Sequence, residues 1–157
     1  MGAPSDEIYE IVWKGPFDWS KRKIAEKEYM IYAIFGTHCV YGADTLLYIG
    51  RTKRFAGERL EEHKRWVEDE SGGVTFRVGK IKQFDSWESQ EATGSLTPSK
   101  WKLVKAIETL LIYAHQPAYN SRGLQEPSEF HRIRVFNSGK FGNLLPEVSY
   151  RYYMDPK

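Results

Sequence analysis

Residues 29–50 read YMIYAIFGTHCVYGADTLLYIG, two apolar and aromatic-rich runs at 29–35 and 45–49 separated by a polar stretch that holds Gly42. Runs of this length, rich in Tyr, Ile and Phe, favour extended backbone because large and β-branched side chains pack well on a pleated surface. Two adjacent antiparallel strands are expected, and Gly50 stops the second. Residues 55–68, FAGERLEEHKRWVE, are rich in Glu, Lys and Arg, with Phe55, Leu60, Trp66 and Val67 as the apolar positions. That composition predicts a surface helix. After Gly72-Gly73, Val74, Phe76 and Val78 alternate with Thr75, Arg77 and Gly79, the period of a third strand. Residues 101–115 carry Trp101, Leu103, Val104, Ile107, Leu110, Leu111 and Ile112, so a helix buried on most of its circumference is expected. Thr97-Pro98 suits its N-cap and first turn, and Pro117 ends it.

Working outward, residues 1–28 read as an N-terminal extension broken into two short pieces by Gly15-Pro16, and 84–99 as a polar insertion with Gly94 and Pro98. Residues 121–157 read as a C-terminal arm or hairpin: 131–136 alternate polar and apolar before the Asn137-Ser138-Gly139 turn. There is no internal repeat and no low-complexity tract. A chain of 157 residues is the size of one domain able to bury a core without covalent staples. With 41% hydrophobic and 28% charged residues, neither a disordered nor a membrane class is favoured.

The single cysteine, Cys39, allows no intrachain disulfide, which fits a reducing compartment. Residues 1–13 carry no charged-then-apolar leader, and no apolar run is long enough to cross a bilayer, so a cytoplasmic location is expected. The 23 Lys and Arg against 21 Asp and Glu leave a net charge of only +2. Any nucleic-acid footprint must therefore be local.

Three features carry candidate chemistry. Glu108 is the one charge in AIETLLIYA, residues 106–114, and an ionised carboxylate among apolar side chains is costly unless a cation or hydrogen-bond donors meet it. It either reaches solvent or pairs with Lys105 or Arg59, or it is a ligand for a hard divalent cation, which takes carboxylate oxygens and lets phosphate supply others. Arg51, Thr52, Lys53, Arg54, Arg59, His63, Lys64 and Arg65 cluster around the first predicted helix. Arg59 and His63 stand four apart and share a helical face, where a phosphate would suit them. Balanced by Glu58, Glu61 and Glu62, the same segment also reads as an ordinary solvated helix. The strand tyrosines Tyr32 and Tyr48, taken singly, are most simply half-buried packing residues with a wet hydroxyl. A phosphate-binding GxxxxGK[ST] loop, an HExxH pair and CxxC knuckles are all absent from the sequence.

Taken in order, the motifs resemble the GIY-YIG nuclease superfamily. Met30-Ile31-Tyr32 stands where that family has its first motif, with Met in place of Gly, and Tyr48-Ile49-Gly50 matches the second. Arg51 follows where the family usually has Lys, Arg59 matches the helix arginine, and His63 the histidine one turn later in some restriction-type members. Glu108 leads through Pro117 to Asn120 with the family's separation between Glu and Asn. The resemblance covers about residues 29–120. It implies an α/β (α+β) domain with a small three-stranded, largely antiparallel central sheet flanked by helices, here with N- and C-terminal extensions.

The resemblance also implies a DNA endonuclease dependent on Mg²⁺ or Mn²⁺. Glu108 would hold the cation, Arg59 the phosphate, Tyr32 the attacking water with help from His63, while Tyr48 positions the phosphate or its partner tyrosine and Asn120 braces the site. Arg51, Lys53 and Arg54 would contact DNA. The extra segments are available to read a short DNA site or build a homodimer, which fits a stand-alone restriction-like enzyme. A structure-selective repair or recombination nuclease and a non-cleaving nucleic-acid-binding module are the alternatives.

Overall fold

The structure is a computed structural model that describes residues 7–24, 28–70, 72–83, 101–124 and 132–151. Its strands are β1 (Glu7–Asp18), β2 (Ile31–His38), β3 (Gly42–Arg51), β4 (Thr75–Gln83), β5 (Ile133–Gly139) and β6 (Glu147–Ser149). Its helices are α1 (Ala56–Glu61), α2 (Lys64–Glu68) and α3 (Trp101–His115), with a short 3₁₀ turn at Trp19–Lys21. All six strands form one mixed sheet in the order β3-β2-β4-β1-β5-β6. The expected three-stranded sheet with appended extensions is thereby corrected. Residues 7–18, read as an extension, form an interior strand, antiparallel to β4 and parallel to β5. The C-terminal segment adds β5 and, antiparallel to it, β6.

Physical reasons for the difference lie in β1. Tyr9, Ile11 and Trp13 recur at period two and are buried on one face, the pattern of a half-buried strand. Gly15-Pro16, expected to split the segment, instead sits in a register shift between Lys14 and Phe17 within one strand. Such an irregularity accommodates a proline that cannot donate to the ladder. Gly79 on β4 lets the two halves of the sheet close over it. A β-carbon there would come within 2.6 Å of Ile11 on β1 and 2.8 Å of Ile31 on β2.

The sheet separates two apolar clusters. On one face, Ile31, Ala33 and Ile49 pack with Tyr9, Ile11 and Trp13 against Ile107, Leu110 and Leu111 of α3. On the other, Tyr32, Ile34, Phe76 and Val78 pack against Ala56 and Leu60 of α1 and Val67 of α2. Each fully buried large apolar side chain contributes about 1.5–3 kcal/mol. The first cluster draws on both halves of the sheet, so the terminal strands are part of the core.

The helix expected over 55–68 is interrupted: α1 ends at Glu61 and α2 begins at Lys64, with His63 between them. The chain nonetheless keeps turning, since His63 N–H donates to the Leu60 carbonyl and Val67 N–H to the His63 carbonyl. The insertion at 84–99 and the Thr97-Pro98 cap lie outside the described residues. No helix among the described residues is long and apolar enough to cross a membrane.

Candidate functional site

Strand β3 is an edge strand of the sheet, and its outer edge is covered by the chain that leaves α3. Ala118 N–H donates to the Leu46 carbonyl and Tyr119 N–H to the Leu47 carbonyl. Asn120 completes the cover with two bonds to one residue. Its Oδ1 accepts from Ile49 N–H at 2.9 Å and its Nδ2 donates to the Ile49 carbonyl at 3.0 Å. Asn120 is buried and spends its amide on the backbone beside Tyr48 and Gly50. It braces the strand on which Tyr48 stands.

Beyond Ile49, β3 ends at Arg51 and opens onto a cavity of about 900 Å³ between this strand end, α1, α3 and residues 120–123. Its walls include Arg51, Lys53, Arg54, Arg59, Lys105 and Arg122, six basic side chains, with Glu108 as the one carboxylate among the described lining residues. A near-neutral chain thus gathers six basic side chains at one cavity, of which Arg51 is paired with Glu108 and Arg54 and Arg59 with Glu62. Tyr48 and Asn120 also face this cavity. Residues 52–54 hold their turn through the Thr52 hydroxyl, which accepts from Arg54 N–H at 3.0 Å. Trp101, at the start of α3, lies under Arg51 and Lys53, whose charges are 5.2 and 4.8 Å from its ring centre.

Glu108 is buried on α3 and forms an ion pair with Arg51 across 57 positions of sequence. Of the partners weighed from sequence, Lys105 and Arg59 lie near enough to favour its ionised form, but the direct contact is Arg51. Burial pushes the Glu108 carboxyl above its usual range, and Arg51 pulls it back down. Arg59 pairs with Glu62, which also holds Arg54. Arg51 keeps one donor in hand: its Nε is buried with no hydrogen-bond partner among the described residues.

Behind Tyr48 lies a second group. Tyr32 is fully buried, and its hydroxyl is 2.7 Å from His63 Nε2. The other ring nitrogen, His63 Nδ1, accepts from the Trp66 indole N–H at 2.9 Å. Tyr48 stacks beside Tyr32 at 6.2 Å and touches His63 at 4.5 Å between ring centres. Burial raises the Tyr32 phenol far above its ordinary value, the neighbouring Tyr48 adding to the rise and Arg59 opposing it. Tyr48 is also raised by burial, again opposed by Arg59. His63 is pushed down to about 4, first by burial and then by Arg59.

Gly50 explains how Tyr32 fits. The two residues are direct partners across β2 and β3, and a β-carbon on Gly50 would overlap the Tyr32 hydroxyl and the ring carbon that bears it. The glycine of Tyr48-Ile49-Gly50 is the floor on which the Tyr32 ring lies.

The structure therefore brings Tyr48, Arg51, Lys53, Arg54, Arg59, Glu108 and Asn120 to one cavity, and sets Tyr32 and His63 behind its wall. Sequence reasoning singled out neither Trp66 nor Arg122 for a functional role. Trp66 is three positions from His63, a spacing at which helical side chains meet, and Arg122 follows Asn120 by two. Comparison with protein-family models, curated proteins and solved structures finds no match to this chain.

Proposed function

We propose that this protein is a divalent-metal-dependent endonuclease that hydrolyses DNA phosphodiesters, in the manner of a stand-alone restriction-like enzyme. The observation that carries the reading is one cavity lined by six basic side chains together with the buried carboxylate of Glu108 and with Tyr48. A polyanion is the natural ligand of such a surface, and a lone carboxylate within it has chemical sense as a cation ligand.

The donor set fits a hard divalent cation of the Mg²⁺ or Mn²⁺ kind only as a one-carboxylate site. Among the described residues no three His, Cys, Asp or Glu side chains cluster, so the phosphate and water would complete the coordination. A cation on Glu108 supplies Lewis-acid stabilisation of charge on the phosphate and on the leaving oxygen. Arg51, paired with Glu108 in this structure, would be the residue to hold the phosphodiester once the carboxylate held a cation, since its planar fork and its Nε, unpartnered among the described residues, suit phosphate oxygens. Arg59, released from Glu62, holds the phosphate as negative charge grows. Tyr48 lines the cavity whereas Tyr32, expected from the resemblance to handle the water, is fully buried, which favours Tyr48 as the residue that would orient water. Tyr32 and His63 support it from behind.

The test is to incubate purified protein with plasmid and with branched oligonucleotides, with and without Mg²⁺ or Mn²⁺. Metal-dependent cleavage of plasmid is expected, while preference for branched substrates would make the enzyme structure-selective. One observation favours a second reading. Glu108 is already compensated by Arg51, an arrangement that also suits a nucleic-acid-binding module that does not cut. Binding that persists with no cleavage under any divalent metal would establish that reading instead.

A further inference from the structure

We infer that Trp66 is a positioning residue: its indole N–H fixes His63 in the tautomer that carries its proton on Nε2, so that His63 donates a hydrogen bond to the Tyr32 hydroxyl. The catalytic consequence rests on the nuclease reading above, whereas the tautomer follows from the contacts alone. An indole nitrogen can only donate, so the nitrogen that faces it at 2.9 Å, His63 Nδ1, must accept and cannot carry a proton. A neutral imidazole then has its proton on Nε2, which faces the Tyr32 oxygen at 2.7 Å. The Tyr32 hydroxyl accepts from His63, and its own proton is directed elsewhere.

In this arrangement His63 is not the base that takes the Tyr32 proton. It is a fixed donor to the phenol oxygen, and without itself carrying charge it holds the buried Tyr32 ring in place beside Tyr48. A second proton on Nδ1 would set two N–H donors against each other, so the imidazolium forms only if the Trp66 bond breaks. The groups facing His63 are Tyr32 from β2, Tyr48 from β3, Arg59 and Glu62 from α1 and its end, and Trp66 from α2. Arg59 opposes the imidazolium and Glu62 favours it, but neither touches the Nδ1 that Trp66 occupies.

Long-range ¹H–¹⁵N spectra of the histidine rings read the tautomer directly in the unmodified protein, with His63 assigned by its loss in His63→Asn. The expected result is a neutral Nε2–H ring near pH 7 that acquires an Nδ1–H population in Trp66→Phe, a variant that keeps a ring against Tyr48 and Tyr119. An Nδ1–H ring in the wild type, or an unchanged tautomer in Trp66→Phe, overturns the inference. On DNA, Trp66→Phe should lower kcat about ten- to a hundredfold, the usual loss when a group that orients a site residue is removed. KM should not move, because Trp66 does not line the cavity. Unchanged kcat alongside a changed tautomer overturns the positioning role. A wild type that cuts no DNA removes the nuclease reading and the kinetic role together, and leaves the tautomer to stand or fall on the spectra.

Discussion

The two polar groups of the site, the Glu108–Arg51 pair at the cavity that Tyr48 lines and the Tyr32–His63–Trp66 group that Tyr48 packs against, are built on opposite principles. Glu108 and Arg51 are two full charges whose pairing faces an open cavity, and Arg51 is still partly exposed. Tyr32, His63 and Trp66 are three neutral groups joined nose to tail between β2 and α2, Tyr32 and His63 buried and Trp66 half-buried at the outer end. A charged pair at a cavity wall can exchange partners cheaply, because water or an incoming ion replaces what is lost. A closed neutral chain cannot, since each missing member leaves a buried donor or acceptor unsatisfied. One centre is suited to changing state when a ligand arrives, the other to holding geometry while it does.

The largest effect that would break this comparison is Glu108→Gln. The amide keeps the size and still accepts from Arg51, so stability should move by no more than about 1 kcal/mol, the scale of one hydrogen bond. Cleavage should fall by about three orders of magnitude, because the charge that would hold a hard cation is gone and several kcal/mol of transition-state stabilisation go with it. DNA binding measured by gel shift with Ca²⁺ should persist. A variant that unfolds, or that cuts within tenfold of the wild type, would make Glu108 a structural residue and Arg51 its permanent partner.

Next in size is the contrast between the tyrosines. Tyr48→Phe should cost about a hundredfold in kcat, the range for loss of a group that handles a proton or orients water, with the melting temperature nearly unchanged. Tyr32→Phe orphans the His63 donor and should destabilise by about 1–3 kcal/mol, whatever it does to turnover. If Tyr32→Phe is as stable as the wild type and dead while Tyr48→Phe still cuts, the two roles are exchanged. Gly50→Ala applies the same pressure through the backbone, because its β-carbon would occupy the place of the Tyr32 hydroxyl. Overpacking of this kind costs about 1–3 kcal/mol, and a urea midpoint unchanged by the substitution would show that the Tyr32 ring can move aside.

Parts of both centres were legible before the structure. The runs at 29–35 and 45–49 place Tyr32 and Tyr48 on paired strands because period and composition are local properties, and the solitary charge of Glu108 marked it for the same reason. Pairings between distant segments were not legible. Nothing in EIYEIVWKGPFD says that it will insert between β4 and β5, since its alternation fits any half-buried strand and Gly15-Pro16 hides its length. The sheet class was misread for that reason. The contact of Arg51 with Glu108 belongs to the same kind, as it depends on how α3 docks on β3. The Trp66 to His63 bond was within reach at three residues, but an apolar Trp reads as packing until a nitrogen is seen to face it.

The smallest effect, and the finest discriminator between the two centres, is the dependence of stability on pH. His63 is buried as the neutral ring, with its folded value pushed down to about 4 from the ordinary 6.5. Below 6.5 the unfolded chain takes up a proton that the folded chain refuses, so the contribution of His63 is complete above 6.5 and is lost progressively as pH falls toward 4. His115 is depressed in the same direction by burial. Glu108 has the opposite sign: its folded carboxyl is raised above 4.5, so folding takes up its proton first and stability is gained as pH falls toward 4.5. The urea midpoint should therefore drop between pH 7 and pH 5, and His63→Gln should flatten that drop by removing one of its sources. Glu108→Gln should steepen it near pH 5, since the compensating gain is gone. A Glu108→Gln profile that parallels the wild type would mean that Arg51 holds the carboxylate ionised throughout, and the charged pair would then be as fixed as the neutral chain beside it.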